Sequence, residues 1–231
     1  MAGVQSVAYR PTYAPPAAPS INAAHKPCEL AAAFMDRSAA HAHFAAGEDI
    51  FSPGEPASFV YRISEGAVIT YRLYADGRRQ VTGFYLPGDF LGLEASVDYR
   101  THAQALGPVT ASVLRRARLS ALAAIDGGLT RALWRMSLRA FQRSEDHAMI
   151  LARQGATERV ATFLLDYADR VEAADVIDLP MSRQDIADHL GLTIHTVSRT
   201  LSQLQAEGLI AARSSRHVRL LRRDRLEALR E

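Results

Sequence analysis

The length, composition and charge of the chain exclude several classes of protein. With 231 residues, of which 48% are hydrophobic, it can bury a core in one large or two small domains, so a wholly disordered protein is excluded. The net charge of +2 does not by itself indicate nucleic-acid binding. The segment from Met181 to Glu231, however, contains nine arginines against six acidic residues. This distribution is typical of a nucleic-acid-binding surface, or of a merely solvated arginine-rich tail.

The sequence also predicts the cellular compartment. It has no run of about 18 apolar residues that would predict a membrane span, and its N-terminus lacks the apolar core of a signal peptide. The one cysteine, Cys28, cannot form a disulfide within the chain. We therefore expect a cytoplasmic protein with no membrane partner.

The first part of the chain is predicted to form a tail followed by a compact β domain. Residues 1–30 include YRPTYAPPAAPS, which is rich in proline and alanine without periodicity and is typical of a flexible tail. Over residues 31–126 the β-rich runs FVYRI, AVITYRLY and QVTGFYL alternate with turns, and ADG is typical of a hairpin. Glycines at intervals of 11 or 12 residues punctuate these runs and predict a β-roll or barrel: Gly54, Gly66, Gly77 and Gly88.

A long helix is predicted over residues 127–157. LTRALWRMSLRAFQRSEDHAMILARQ runs for about 26 residues without proline or glycine, which corresponds to about 40 Å of helix. Because one small domain does not need so long a helix, we expect it to pair with a second copy of the chain. Packing within its own domain is the alternative. The apolar positions assigned to the interface recur at helical spacing and are Leu133, Met136, Ala140 and Ile150.

Residues 181–210, MSRQDIADHLGLTIHTVSRTLSQLQAEGLI, contain two short helical patterns separated by three residues. Ser182 and Asp185 have the spacing of a capping box at the start of the first helix, and Gly191 can end that helix in the left-handed conformation. Thr193 can cap the second helix. This combination predicts a helix-turn-helix.

The neighbouring positions predict how this motif contacts DNA. The first turns of the second helix enter the major groove, and the outward side chains predicted to read bases are Ile194, His195, Ser198 and Arg199. LIAARSSRHVRLLRR predicts a β-wing. Its arginines and the hydroxyls at the helix starts are predicted to contact the DNA backbone: Ser182, Thr193, Thr196, Arg213, Arg216 and Arg219. We predict a winged helix-turn-helix over residues 158–231; the alternative is a helical hairpin with surface arginines.

The order of β-roll, long helix and SRQDIADHLGLTIHTVSRTLSQL resembles the CRP/FNR family of bacterial transcription regulators, most closely its FNR and FixK branch. The similarity covers about residues 30–225 and includes VTGFYLPGDFLGLEASVDYRTHAQAL. The resemblance implies an α+β fold and a homodimer on an inverted DNA repeat such as TTGAT and its complement. It also implies an activator that contacts RNA polymerase in oxygen-limitation or nitrogen-fixation control. Asp146 matches a position that opposes dimerisation by like-charge repulsion.

The sequence departs from the family at three places. Cys28 alone cannot supply the four thiolates of a 4Fe–4S cluster, so we expect no iron–sulfur cluster. Glu94 stands one place later than the ribose-binding glutamate of the cyclic-nucleotide branch, so cAMP is not expected, and Arg100 and Thr101 are only possible effector contacts. His195 replaces the glutamate usual in FNR and FixK proteins, which changes recognition at one base pair.

No catalytic or metal-binding pattern accompanies these motifs. His41 and His43 lack nearby companions, and HExxH, P-loop and GxSxG patterns are absent. We therefore predict a sequence-specific transcription regulator that is not an enzyme and holds no cofactor. One alternative is a regulator that needs a small effector in the roll, such as cAMP, a 2-oxo acid or haem. The other is an enzyme or channel module that uses the roll to sense a ligand.

Overall fold

The N-terminal part of the protein is a roll of two antiparallel sheets. The computed structural model describes residues 39–153 and 155–230, so the predicted tail and Cys28 lie outside the described residues. The sheet orders are β1-β8-β3-β6 and β2-β7-β4-β5; within the described residues they stay separate, which confirms a roll and not a barrel. The strands are β1 (Ala40–Phe44), β2 (Asp49–Phe51), β3 (Phe59–Glu65), β4 (Val68–Leu73), β5 (Arg79–Tyr85), β6 (Phe90–Leu91), β7 (His102–Ala105) and β8 (Val109–Arg115).

The core of the roll follows from the alternation of side chains along its strands. In β3, Tyr61 and Ile63 point between the two sheets, while Val60 points to the opposite face and packs against helices. Phe51 and Tyr99 stack inside the roll with ring centroids 3.7 Å apart. The sheets are thus held together by interior aromatic and aliphatic side chains.

Two helices, α1 (Arg116–Ile125) and α2 (Gly127–Arg153), follow the roll. Asp126 lies between them, and its carboxylate accepts a hydrogen bond from Gly128 N (2.8 Å), which caps the start of α2. The 27 residues of α2 extend for about 40 Å, so the predicted long helix is confirmed. Both helices pack on the roll through a small core that includes Val60, Leu114, Leu119 and Leu129.

The C-terminal part of the protein combines four helices with a small sheet. The sheet has the order β10-β11-β9, and the hairpin β10–β11 is the predicted wing. Buried side chains from all of these helices form one core, among them Leu164, Ile186, Leu204 and Leu226. The elements are α3 (Ala156–Arg170), β9 (Val176–Asp178), α4 (Arg183–Leu190), α5 (Ile194–Ala206), β10 (Ile210–Ala212), β11 (His217–Leu220) and α6 (Arg223–Ala228).

A continuous apolar core joins the roll to the C-terminal helices. Ile69, Val81 and Phe84 of strands β4 and β5 belong to the same buried cluster as Phe163 and Leu164 of α3. The rings of Phe84 and Phe163 meet edge to face with centroids 6.0 Å apart, an arrangement that aromatic pairs favour. The sequence patterns gave no indication of this contact. The shared core fixes the helix-turn-helix against one face of the roll.

Gly66, in the turn between β3 and β4, generates a stability prediction. Its φ is +83°, and a Cβ there would collide with the backbone carbonyl oxygen of Pro108. Gly77 has a similar φ of +82°, but no atom of the described residues lies within 4 Å of the position that its Cβ would take, so it is a matched control. We expect Gly77→Ala to lower the free energy of unfolding by about 1 kcal/mol, from backbone strain alone, and Gly66→Ala by about 3 kcal/mol. Denaturant unfolding measures both; equal losses would contradict the predicted clash.

Candidate nucleic-acid interface

Helix α4 begins and ends as the sequence predicts. Ser182 Oγ accepts a hydrogen bond from Asp185 N (3.1 Å), and the Asp185 carboxylate accepts one from Ser182 N (2.8 Å), so the reciprocal capping box is present. Gly191 follows the helix with φ +62°, a conformation that glycine adopts without a Cβ penalty. Leu192 N donates to Ala187 O (2.9 Å). These contacts close the sharp turn into α5.

Helix α5 separates a buried face from an exposed face. Its first turn is capped by Thr193, whose Oγ1 accepts a hydrogen bond from Thr196 N (3.1 Å). The buried face consists of Val197, Leu201 and Leu204, at the spacing of one helix stripe. The four predicted base-reading side chains lie together outside this stripe on the first two turns, with Ser198 half-buried and the others exposed: Ile194, His195, Ser198 and Arg199.

The residues predicted to contact phosphate lie on the wing and at the helix starts. The wing turn is closed by Ser214 Oγ, which accepts hydrogen bonds from Arg216 N (3.3 Å) and His217 N (3.0 Å). Its three arginines, Arg213, Arg216 and Arg219, are exposed.

The hydroxyl residues at the helix starts differ in exposure. Ser182 and Thr193 are exposed at helix N-termini, where free backbone N–H groups also favour an anion, and Thr196 is half-buried.

One residue of this surface, Arg183, was missed by the sequence analysis. It is the first residue of α4, and its Nη1 donates to Ser198 Oγ at 3.3 Å, so it connects α4 to one of the predicted base-reading side chains of α5. Its Nε is buried and has no hydrogen-bond partner among the described residues. The sequence did contain a signal, because the first turn of a helix favours acidic over basic residues. An arginine directly after the N-cap Ser182 is therefore unfavourable for the helix itself, which indicates that Arg183 has a function other than helix stabilisation.

The predicted dimer residues of α2 fall into two groups. Leu133 and Met136 pack partly against the roll, and Ile150 packs against the C-terminal core, so these three contact their own protomer. Ala140 and Asp146 are exposed. The helix also carries large apolar side chains in an exposed stripe that the sequence analysis did not single out: Trp134, Leu138, Phe141 and Met149.

The two possible effector contacts, Arg100 and Thr101, differ in their relation to the cavity next to the roll. Thr101 lines a cavity of about 180 Å³ between the roll and α2, whereas Arg100 is exposed and is not among the lining residues. Asp89 in this cavity accepts a hydrogen bond from Arg170 Nη2 (2.6 Å), and its carboxylate lies 3.7 Å from Arg143 Nη1. The charges that line the cavity are thus partly paired within the protein.

The remaining histidine and membrane predictions concern the described part of the chain. His41 and His43 of β1 are exposed, and His43 Nδ1 lies 3.2 Å from Thr110 Oγ1. Among the described residues, no three His, Cys, Asp or Glu side chains are grouped so that they could hold a metal ion. The described helices include none whose length and apolar character would let it traverse a membrane.

His189, near the end of α4, is packed between aromatic rings. The ring of His147 from α2 stacks on it with centroids 4.0 Å apart, and Phe84 and Phe163 approach it edge-on at 5.1 and 6.0 Å. Burial lowers the pKa of His189 from 6.5 to about 3, and the neighbouring His147 adds to this effect. The pKa of His147 is also lowered, mainly by burial. Both shifts favour the neutral form of the imidazole.

A roll, a long helix and a winged helix-turn-helix with an exposed basic wing define a class of DNA-binding transcription regulators. Residues 158–229 match the Crp-like helix-turn-helix domain, and residues 41–126 match the cyclic nucleotide-binding domain. The chain is 42% identical over 173 residues to the nitrogen fixation regulation protein FixK of Bradyrhizobium diazoefficiens, covering 73% of each chain. It is 44% identical over 191 residues to FixK of Azorhizobium caulinodans, covering 80% of this chain and 77% of that protein.

A solved structure supports the same assignment. The structure of FixK2 from Bradyrhizobium japonicum superposes with a TM-score of 0.81 at 42% identity, covering 84% of this chain and 98% of that chain. The chain therefore belongs to the CRP/FNR family of transcription regulators, in the group that contains FixK. This confirms the predicted α+β fold and the prediction of a regulator that is not an enzyme.

The buried His189 generates a pH prediction. Below pH 6.5 the unfolded chain takes up a proton on this residue and the folded chain does not, so stability falls as the pH falls from 6.5 toward 3. Above pH 6.5 the residue is neutral in both states and contributes no pH dependence. The slope is up to about 1.4 kcal/mol per pH unit for this one group.

Replacement of His189 tests this directly. We expect His189→Gln to show a shallower decline in the free energy of unfolding between pH 6.5 and 5 than the wild type. His41→Gln, an exposed histidine in β1, is the matched control and should keep the wild-type slope. Urea unfolding at several pH values measures the three slopes; a wild-type slope in His189→Gln would contradict the assignment.

Proposed function

We propose that the protein binds an inverted DNA repeat as a homodimer and activates transcription by contacting RNA polymerase, in oxygen-limitation or nitrogen-fixation control. The observation that carries this proposal is the exposed set of Ile194, His195, Ser198 and Arg199 on the first turns of α5. The polar side chains of this set can hydrogen-bond base edges in the major groove, and an apolar one can contact a thymine methyl group. The FixK relatives are named for nitrogen fixation regulation, and FnrA of Stutzerimonas stutzeri, 34% identical, is named as a transcriptional activator, which supports the physiological assignment.

A homodimer is supported by the exposed apolar stripe of α2. Trp134 is 66% exposed and Phe141 is 60% exposed, which is unusual for such large rings on a helix in water. With Leu138 and Met149 they occupy one side of α2 at helical spacing. A second copy of the same helix would cover this stripe in a symmetric contact, in which the same surface is used on both subunits.

His195 is proposed to read a base in place of the usual glutamate. A neutral imidazole can accept a hydrogen bond from cytosine N4, whereas a protonated imidazole can only donate, so the favoured base can shift toward guanine. His195 is exposed on the first turn of α5, where such an interaction is sterically open. The palindrome itself is set by dimer symmetry and does not depend on this residue.

The roll is proposed to work without an iron–sulfur cluster or cAMP. The single cysteine of the sequence supports the first point, because a 4Fe–4S cluster needs four thiolates. The pairing of Asp89 with Arg170 in the cavity supports the second, since these groups are already satisfied by each other. The cavity between the roll and α2 nevertheless favours a second candidate, a regulator that needs a small effector before it binds DNA.

Selection of binding sites from random duplexes by the purified full-length protein tests the main proposal. Without any added effector we expect recovery of an inverted repeat. Recovery only after addition of cAMP, 2-oxoglutarate or haem would favour the effector-gated candidate. Recovery of no sequence preference under any of these conditions would contradict both.

Two arginine variants separate base reading from phosphate binding. Arg199→Ala should relax the preference at one base pair of each half-site and cost about 1–3 kcal/mol on the selected sequence. Arg216→Ala should weaken binding to all sequences alike and reduce the slope of log K against log salt by about one for each phosphate that is no longer neutralised. Salt-dependent mobility shifts on selected and scrambled duplexes provide the measurement. Equal losses of affinity for Arg199→Ala on both duplexes would exclude its base-reading role.

Charge placed in the apolar stripe tests the dimer. Phe141→Asp should convert the dimer to monomer, because two buried carboxylates would face each other across the interface. Ser144→Asp adds the same charge at an exposed position of α2 outside the stripe and is the matched control. Asp146→Ala should tighten the dimer if its charge opposes association. Sedimentation over a range of concentrations distinguishes these outcomes, and a dimeric Phe141→Asp would contradict this interface.

A further inference from the structure

The first helix of the helix-turn-helix is held to the roll by a pair of ionic contacts. Arg79, the first residue of β5, donates from Nε to Asp188 Oδ2 at 2.7 Å and from Nη2 to Asp185 Oδ1. The Arg79 side chain is 26% exposed, and the two carboxylates are 11% and 13% exposed. The guanidinium also lies over the ring of Tyr71, 5.4 Å from its centroid. Charged groups this far from water are screened less by salt than surface pairs.

The C-terminal end of α4 is held from three directions. The last carbonyl groups of a helix have no partner within the helix, and here three side chains supply one. Gln80 Nε2 of β5 donates to Asp188 O at 2.8 Å. His147 Nε2 of α2 lies 2.8 Å from His189 O, and Arg159 Nη1 of α3 donates to Leu190 O at 2.8 Å. The roll, the long helix and α3 thus converge on one turn.

The contacts that Arg79, Gln80, His147 and Arg159 make with α4 are called the α4 clamp below, and they bear on the position of α5. Helix α4 packs directly on α5, and the Arg183 hydrogen bond to Ser198 Oγ joins their exposed faces. A rotation of α4 about the end of β5 would therefore turn α5 with it. The α4 clamp also includes α2, the proposed dimer helix, so it relates each recognition helix to the dimer axis.

We propose that Arg79 is a positioning residue that determines which separation of DNA half-sites the dimer accepts. This inference rests on the proposed binding of an inverted repeat by a homodimer. The two carboxylates on α4 face one guanidinium on the roll, and its planar fork fixes direction as well as distance. Loss of this fork leaves the α5 surface intact but lets the two recognition helices vary in angle and separation.

The dependence of DNA affinity on the spacing of half-sites distinguishes a positioning role from a loss of stability. One inserted base pair rotates one half-site by about 34° relative to the other and shifts it by about 3.4 Å. A rigid dimer loses affinity steeply on such an insertion, whereas a dimer with loosened domains loses less. A general loss of stability would lower the active fraction equally for every spacing.

The test compares full-length variants on duplexes whose half-sites are separated by the selected spacing or by one base pair more or less. We expect the wild type to lose about tenfold in affinity on each altered spacing, and Arg79→Ala to lose only about twofold. On a duplex with a single half-site, Arg79→Ala should match the wild type. Arg78→Ala is the control, because Arg78 is 79% exposed and pairs with Asp76 of its own hairpin; it should keep the steep wild-type profile.

Exchanging the charges of Arg79 and Asp188 provides a second test in case Arg79→Ala folds poorly. Arg79→Asp should flatten the spacing profile, and Arg79→Asp combined with Asp188→Arg should restore part of its steepness. Asp188→Asn, of nearly the same shape, should flatten it as well. A steep profile in folded Arg79→Ala and Asp188→Asn would overturn the inference while leaving the inverted-repeat proposal intact. A wild type that binds one half-site as tightly as two would instead overturn the proposed function.

Discussion

The position of the helix-turn-helix depends on the interface between strand β5 and helices α3 and α4. Its apolar part is continuous: Val81 and Phe84 of the roll share one core with Phe163 and Leu164 of α3. Its polar part satisfies the free carbonyls of α4, which would otherwise remain unpaired in a partly buried place. Because an interface of packed side chains has few alternative arrangements, the recognition helix is presented at one orientation to the roll and to the long helix.

Within the C-terminal domain, helix α5 has one face that is buried in the core and another face that carries the predicted base-reading side chains. Val197, Leu201 and Leu204 take the buried side of α5, and so the positions between them, including Ser198 and Arg199, lie outside the core. The capping hydroxyl of Thr193 adds a fixed start to the helix. The same short segment therefore supplies the domain with part of its core and leaves the predicted base-reading side chains outside it.

The arginines of the C-terminal segment fall into two groups, those that pair with aspartates of the domain and those that are exposed on the wing. Arg223 contacts Asp169 of α3, and Arg230 lies 2.6 Å from Asp166, so these arginines hold the last helix to its domain. The arginines of the wing, among them Arg216 and Arg219, are instead exposed on a hairpin. A count of charges along the sequence adds both groups together. The folded structure separates the cations that stabilise the domain from those that can meet phosphate.

The sequence by itself determined the elements and the local chemistry: the capping box of Ser182, the left-handed Gly191 and the exposed face of α5 all depend on residues within one or two helical turns. The long helix followed equally from its uninterrupted pattern. Arg79, Gln80 and His147 gave no such signal, because their partners on α4 lie 42 to 109 residues away along the chain. Only the tertiary structure decided how the recognition helix is oriented on the roll, since that orientation depends on side chains whose contacts no local pattern records.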